Sequence, residues 1–296
     1  MDNIRGQIRK AMSGFYYVLG EDNILYQTRG RGNFRAKKQM PLVGDYVEFE
    51  SENTKEGVLT SLLPRVNTLI RPAICNVAHA VIVMSAVNPQ FSPALLDRFI
   101  VMLEHLSIQP IIYISKMDLI EHDTAEIEQY RSYYQQLGYP VILSSQQLSD
   151  LTSLLTNGIT VLMGQSGAGK STLLNTLLPD LALKTAEISD YLGRGKHTTR
   201  HVEVYAVDNC LIADTPGFSA IDFIGIEASQ LKDYFIEFSK MSNSCKFREC
   251  LHIDEPQCTI KKNLSSHSVM TERYQHYLQF YKEIQTKKKQ YKKSEG

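Results

Sequence analysis

The sequence lacks any run approaching the roughly 18 to 20 uninterrupted apolar residues of a membrane span, so no transmembrane helix is expected. It also lacks net charge, because 32 Lys and Arg balance 32 Asp and Glu. Global charge therefore says nothing for or against a polyanionic partner, which must be argued from local clusters. The opening residues Met1-Asp2-Asn3-Ile4-Arg5 lack the apolar core of a signal peptide. A soluble, cytoplasmic protein is the expectation. Cysteines are few and odd in number: five, with three inside fourteen residues near the C-terminus. That pattern fits a metal site in a reducing compartment better than a disulfide framework. Internal repeats are absent too.

What is present is a globular composition, 43% hydrophobic and 22% charged, in a 296-residue chain long enough for two or three domains. Three textures follow one another. From about residue 13 to 65, short runs such as Gly14–Leu19, Ile24–Tyr26 and Asp45–Glu50 alternate with turn-rich pieces. Such spacing predicts a small β-barrel. From about residue 70, apolar runs at Ala80–Met84, Ile111–Ile114, Val141–Leu143, Ile159–Met163 and Cys210–Ala213 alternate with amphipathic stretches. Alternating β and α with fully apolar strands predicts a parallel, doubly wound sheet. Past about residue 225 the chain reads as helical and cysteine-bearing, with a lysine-rich end. The expected domains are therefore 1–68, 69–225 and 226–296.

The strongest chemical signal is Gly164-Gln165-Ser166-Gly167-Ala168-Gly169-Lys170-Ser171, a glycine, four residues, then Gly-Lys-Ser. It follows the apolar run Ile159–Met163 and opens a helical pattern through Thr172, which is the context a phosphate-binding loop requires. Its glycines let backbone amides turn inward around phosphate oxygens. Lys170 reaches the outer phosphates, and the Ser171 hydroxyl suits Mg²⁺. Downstream, the run Leu211-Ile212-Ala213 ends in Asp214-Thr215-Pro216-Gly217. Asp214 suits Mg²⁺, directly or through water, and Gly217 offers an amide to a γ-phosphate. Between them lies Gly193–Arg200, where Thr198 and Thr199 are both candidates to complete the Mg²⁺ shell. Alone this stretch is also compatible with an ordinary surface turn.

Guanine selection needs a carboxylate that accepts from the ring N1–H and the exocyclic amine. Ser115-Lys116-Met117-Asp118, at the end of an apolar run, offers Asp118 for that role and the Lys116 stem for packing along the base. Ser144-Ser145, after the next run, resembles the Ser-Ala-type loop that presents a backbone amide to guanine O6. Phe218 follows the Asp-Thr-Pro-Gly motif and cannot orient water, so slow intrinsic turnover and a partner-stimulated rate are expected. His197 is the candidate water-orienting residue; the alternative is that it only caps its loop. Near the C-terminus, Cys245, Cys250, His252 and Cys258 supply three thiolates and one imidazole. They are a plausible structural Zn²⁺ set with no ligand position left open, while Cys75 and Cys210 on apolar segments read as core.

The base motifs precede the phosphate loop, Asp118 standing 46 residues before Gly164. That order is a circular permutation of the usual one. Together with an N-terminal barrel and a C-terminal cysteine cluster, it resembles the RsgA (YjeQ/YloQ) family of small-subunit-dependent ribosomal GTPases over nearly the whole chain. The sequence departs from the usual guanine signature in placing Ser115 where Asn is common. The resemblance implies a circularly permuted α/β P-loop GTPase domain, an N-terminal OB-fold β-barrel and a C-terminal helical domain with one structural zinc. It implies GTP hydrolysis to GDP with Mg²⁺, stimulated by the small ribosomal subunit and its rRNA in late subunit maturation, by a monomer. Arg29, Arg31, Arg35, Lys37 and Lys38 around Phe34 suit RNA binding on the barrel, and so do Arg5, Arg9 and Lys10. Tyr274, Tyr277, Phe280 and Tyr281 with the lysine tail offer a further contact. Solvated surface charge is the competing account of these clusters.

Overall fold

The computed structural model describes the chain apart from residues 1–2, 33, 35–38, 121–123, 156–157, 180–201, 208–209, 215–221, 265–267 and 295–296. It divides into two compact units, one of Met1–Val83 with Gln146–Ser219, the other of Met84–Ser145 with Ala220–Gly296.

The first unit opens with the strands β1 (Asn3–Met12), β2 (Phe15–Gly20), β3 (Leu25–Gly30), β4 (Tyr46–Ser51) and β5 (Gly57–Leu62). Antiparallel pairs join β1 to β2, β2 to β3, β4 to β5 and β1 to β4, and a parallel pair joins β3 to β5. The strands thus close on themselves in the order β1-β2-β3-β5-β4, an OB-like five-stranded barrel that leaves no free edge. Alternation fills it: Ile8, Val18, Val47, Phe49 and Leu59 are fully buried. Each such side chain contributes roughly 1.5–3 kcal/mol of burial. Phe34, which the sequence places among exposed basic residues, packs inside instead and is only 9% exposed.

A short hairpin, β6 (Thr68–Leu69) and β7 (Ile74–Cys75), leads to β8 (Val77–Ser85). Strand β11 (Ile159–Met163) pairs in parallel with β8 on one side and with β13 (Cys210–Asp214) on the other. All five residues of β11 are buried, as a strand covered on both faces requires. The sheet is not purely parallel, however. Strand β12 (Glu203–Val207) runs antiparallel to β13 and meets β1 at Lys10–Glu203, reinforced by an ion pair of 2.7 Å.

The second unit contains the parallel pair β9 (Gln109–Ser115) and β10 (Val141–Leu143). Helix α1 (Pro93–His105) starts where Ser92 accepts the Leu95 amide and Pro93 pre-sets the first turn. It buries Leu96, Phe99, Ile100 and Leu103, spaced three and four apart. Helix α2 (Ala125–Leu137) ends at Gly138, whose φ of 104° gives the left-handed cap. The C-terminal part comprises α5 (Ile236–Ser242), α6 (Thr259–Asn263) and the long α7 (Ser268–Ser294); α3 (Leu148–Thr152) and α4 (Lys170–Leu177) belong to the first unit. Tyr274, Tyr277 and Phe280 of α7 are buried, so these rings form core and not an RNA face.

Candidate functional site

In the first unit, β11 delivers the chain into Gly164, and α4 begins at Lys170. Between them Gly164, Gly167 and Gly169 adopt φ values of 143°, 78° and 96°, all in the region that favours glycine. A Cβ on Gly164 would lie 2.1 Å from the Val83 carbonyl oxygen, so that position needs glycine for close approach as well. Turns of this kind at a helix start can present backbone amides to an anion. Ala168 is buried and braces the loop, its amide donating to the Gln165 carbonyl at 3.2 Å. Ser166, Ser171 and Thr172 are exposed, and Gln165 is half-buried. Lys170 donates to the Gly164 and Gln165 carbonyls, both at 2.7 Å, and burial lowers its pKa. A half-buried ammonium held only by neutral carbonyls is a ready partner for an anion.

Asp214 closes β13, paired with Glu203, although its side chain lies outside the described ones. His197, Thr198, Thr199 and Gly217 also lie outside the described residues.

In the second unit, β9 ends at Ser115. Its hydroxyl, buried, donates to the Met84 carbonyl at 3.2 Å, and its own carbonyl accepts from the Ala86 amide at 3.0 Å. Serine thus ties down the strand end at the position where a longer Asn is usual. Lys116 then takes a left-handed φ of 59° and donates to the Asn88 carbonyl. Met117 and Asp118 form a 3-10 turn, and the Met117 amide donates to Ser144 Oγ at 3.1 Å. The two sequence motifs are therefore physically joined, and Asp118 and Ser145 are left exposed. An exposed carboxylate on a braced turn can accept paired N–H groups from a planar ring.

Also in the second unit, Cys245, Cys250, His252 and Cys258 place their ligand atoms within 4.8 Å of one another. His252 Nδ1 lies 3.7 Å from Cys245 Sγ and 3.3 Å from Cys258 Sγ. A tetrahedral zinc with bonds near 2.3 Å to sulfur and 2.0 Å to nitrogen has S-to-N edges of about 3.5 Å. The donor set fits. Burial lowers the His252 pKa and keeps the ring neutral, as a ligand must be, whereas it pushes the Cys250 thiol up to about 12. A cation is what would favour the thiolate there.

Sequence reasoning missed the braces of this knuckle. Glu255 accepts the Leu251 and Ile253 amides at 2.6 and 2.9 Å, and Tyr274 donates to the His252 carbonyl at 2.7 Å. Lys232 donates to the Cys250 carbonyl at 3.1 Å. A carboxylate three residues beyond the histidine was the one available signal.

Of the basic barrel residues, Arg5 pairs with Glu48 and Arg31 with Glu50, each at 3.2 Å, while Arg29 lies 4.5 Å over the Phe15 ring. Arg9 and Lys10 sit on β1, a strand the sequence reading did not anticipate; Arg35, Lys37 and Lys38 lie outside the described residues. Among the described residues no helix is long and apolar enough to cross a membrane.

Residues 62–224 match the family model described as RsgA GTPase, and residues 5–59 match that described as RsgA N-terminal domain. The chain is 52% identical over 293 residues to the small ribosomal subunit biogenesis GTPase RsgA of Enterococcus faecalis, covering 98% of both. It is 51% identical over 296 residues to the protein of that name from Bacillus subtilis, covering 97% of this chain and 99% of that one. Among solved structures, YloQ, described as a circularly permuted GTPase, superposes with a TM-score of 0.83 at 46% identity, covering 97% of this chain and 96% of that one. YjeQ from Thermotoga maritima gives 0.82 at 29% identity, covering 96% and 99%.

Proposed function

Because this chain belongs to the RsgA GTPase family, we propose that its GTP hydrolysis serves biogenesis of the small ribosomal subunit, on which it is stimulated. The chain is a GTP hydrolase with a circularly permuted GTPase fold. We assign rRNA contact to segment 1–68, hydrolysis to 69–225 and zinc binding to 226–296, in a cytoplasmic protein.

Support for the nucleotide assignment comes above all from the loop of three positive-φ glycines leading into Lys170. Amides of Gly164 through Thr172 receive the phosphates, and Lys170 exchanges two neutral carbonyl acceptors for anionic oxygens. Mg²⁺ supplies charge neutralisation at the outer phosphates when bound. Ser171, Asp214 and one of Thr198 and Thr199 are the residues assigned to hold it. The Gly217 amide is assigned to the γ-phosphate. Asp118 accepts from the guanine N1–H and amine, the Lys116 stem and Met117 pack along the ring, and Ser144 and Ser145 set the turn that faces O6. An adenine at this site leaves the Asp118 carboxylate unmatched, which is the physical source of base selection.

His197 is assigned to orient the attacking water, because Phe218 has no polar atom for that task. Cys245, Cys250, His252 and Cys258 are assigned to one structural zinc, whose four protein ligands leave no coordination position for chemistry.

The deciding measurement is phosphate release from GTP with and without purified small ribosomal subunits, with ATP as control. Strong stimulation with GTP alone is the expected result. Tight GTP binding without stimulation would point instead to a nucleotide-gated RNA-binding module. Replacing His197 with Ala should reduce the stimulated rate and leave GTP affinity unchanged; an unaltered stimulated rate removes His197 from the reaction.

A further inference from the structure

Helix α1 carries Asp97 and Arg98 side by side, and each grips the C-terminal helix α7 differently. Asp97 is buried and accepts from Arg273, from Tyr134 at 2.7 Å and from His276 Nδ1 at 2.7 Å. Arg98 lies 4.5 Å over the Phe223 ring and 4.8 Å over the Phe280 ring, and those rings touch at a 5.0 Å centroid separation. Its fork also engages Glu283, with Nη1 to Oε1 at 3.0 Å. Glu283 is 3.3 Å from Lys287, and Lys287 holds Asp222 at 2.6 Å. The links form a closed circuit: Asp222-Phe223 to Arg98, Arg98 to Glu283, Glu283 to Lys287, and Lys287 back to Asp222.

Asp222 and Phe223 stand five and six positions after Gly217. They are the first described residues after the Asp214–Gly217 motif. Phe223 is buried in this clasp, 7% exposed, whereas Asp222 is held at the surface by its ion pair. A planar guanidinium that both stacks on rings and forks a carboxylate fixes orientation more tightly than an ammonium would.

We propose that Arg98 is a positioning residue for the subunit-dependent reaction: it locks Asp222-Phe223 onto α7, so that the chain leaving the nucleotide motif and the zinc-bearing helical segment respond as one. The inference rests on the GTPase and small-subunit assignments above. Coupling of this kind is reciprocal, so the nucleotide changes subunit affinity by the factor that the subunit changes nucleotide affinity. A residue that only stabilises the fold would alter melting and leave that factor alone.

The test uses full-length protein and purified small subunits, with affinity measured beside a non-hydrolysable GTP analogue and beside GDP. Arg98→Met keeps the apolar stem and removes the charge and the fork; Arg98→Lys keeps the charge alone. The ratio of the two affinities should be well above one in the wild type and should fall about five-fold or more in Arg98→Met. Arg98→Lys should restore part of it. Zinc content and intrinsic GTP turnover should be unchanged. If Arg98→Met unfolds, Phe223→Leu, which keeps apolar volume and removes the ring face, should lower the ratio in the same way. A folded Arg98→Met, or a folded Phe223→Leu in its place, with the wild-type ratio overturns the proposal. A wild type whose subunit affinity ignores the nucleotide, and whose turnover ignores the subunit, defeats the functional assignment itself.

Discussion

Replacing Arg273 with Met should be among the most destabilising single changes in the second unit. Arg273 is 1% exposed and joins two carboxylates that are themselves buried, Asp97 at 0% and Glu237 at 4%. Its Nε and Nη2 donate to Glu237 at 2.6 and 3.1 Å, while Nη1 donates to Asp97. Methionine matches much of the stem's volume, so the packing loss is small and the electrostatic loss dominates. Asp97 would still be served by Tyr134 and His276, but Glu237 would lose both arms of its fork. Breaking a buried pair in this way costs about 3–5 kcal/mol, against a total stability of roughly 5–15 kcal/mol. With a urea slope of about 1–3 kcal/mol per molar, the midpoint followed by helical circular dichroism should fall by about 1–5 M. The control is Asp97→Asn, Glu237→Gln and Arg273→Met combined, which removes both stranded charges and should recover most of the loss. A single variant within about 1 kcal/mol of wild type, or a triple variant no better than the single one, would refute the reasoning.

Gly164→Ala should weaken GDP binding at least ten-fold in a fluorescent-nucleotide titration, because its Cβ would meet the Val83 carbonyl at 2.1 Å; wild-type affinity would show that the loop yields. The purified chain should carry about one zinc per molecule by elemental analysis, and Cys258→Ser should lower both that content and the melting temperature, while a zinc-free, equally stable wild type would contradict the ligand assignment. Glu283 is held below its ordinary value of 4.5, chiefly by its hydrogen bond from Arg98. A depressed folded pKa contributes stability above the unfolded value and loses it as pH falls through the folded one. The melting advantage of wild type over Arg98→Met should therefore be full near pH 7 and shrink below about 4.5. An advantage constant from pH 7 down to about 3.5 would show that Glu283 is not the partner that matters.

Elements with one-sided chemistry were legible. The runs Val141–Leu143 and Ile159–Met163 became β10 and β11 with those same bounds, because short runs that are almost wholly apolar and flanked by turn residues stand out from their surroundings. Strands β1 and β12 were not anticipated. Each mixes charged residues into its alternation, Arg5, Arg9 and Lys10 in one and Glu203 in the other, and such half-exposed strands give a weak apolar signal. The cysteine–histidine cluster was legible because its four residues crowd into one short stretch, and the glycine-rich loop because backbone conformation there demands glycine. The Asp97–Arg273 link spans 176 residues, and no local pattern announces it. The α7 aromatics misled for a related reason: their burial is conferred by α1, α5 and the knuckle, and their own spacing does not reveal it.

The chain passes between the two compact units at 83–84, 145–146 and 219–220, so neither unit is one contiguous piece of polypeptide. Dissection by truncation therefore cuts through cores and not between them. A fragment starting at residue 220 would retain Arg273, Glu237 and the cysteine–histidine cluster, but it would part Arg273 from Asp97 and strip Arg98 from Phe223 and Phe280. The cysteine-bearing C-terminal segment is thus a poor candidate for autonomous expression, despite looking like a separable module in the sequence. Studies of this segment belong in the full-length chain, altered one side chain at a time.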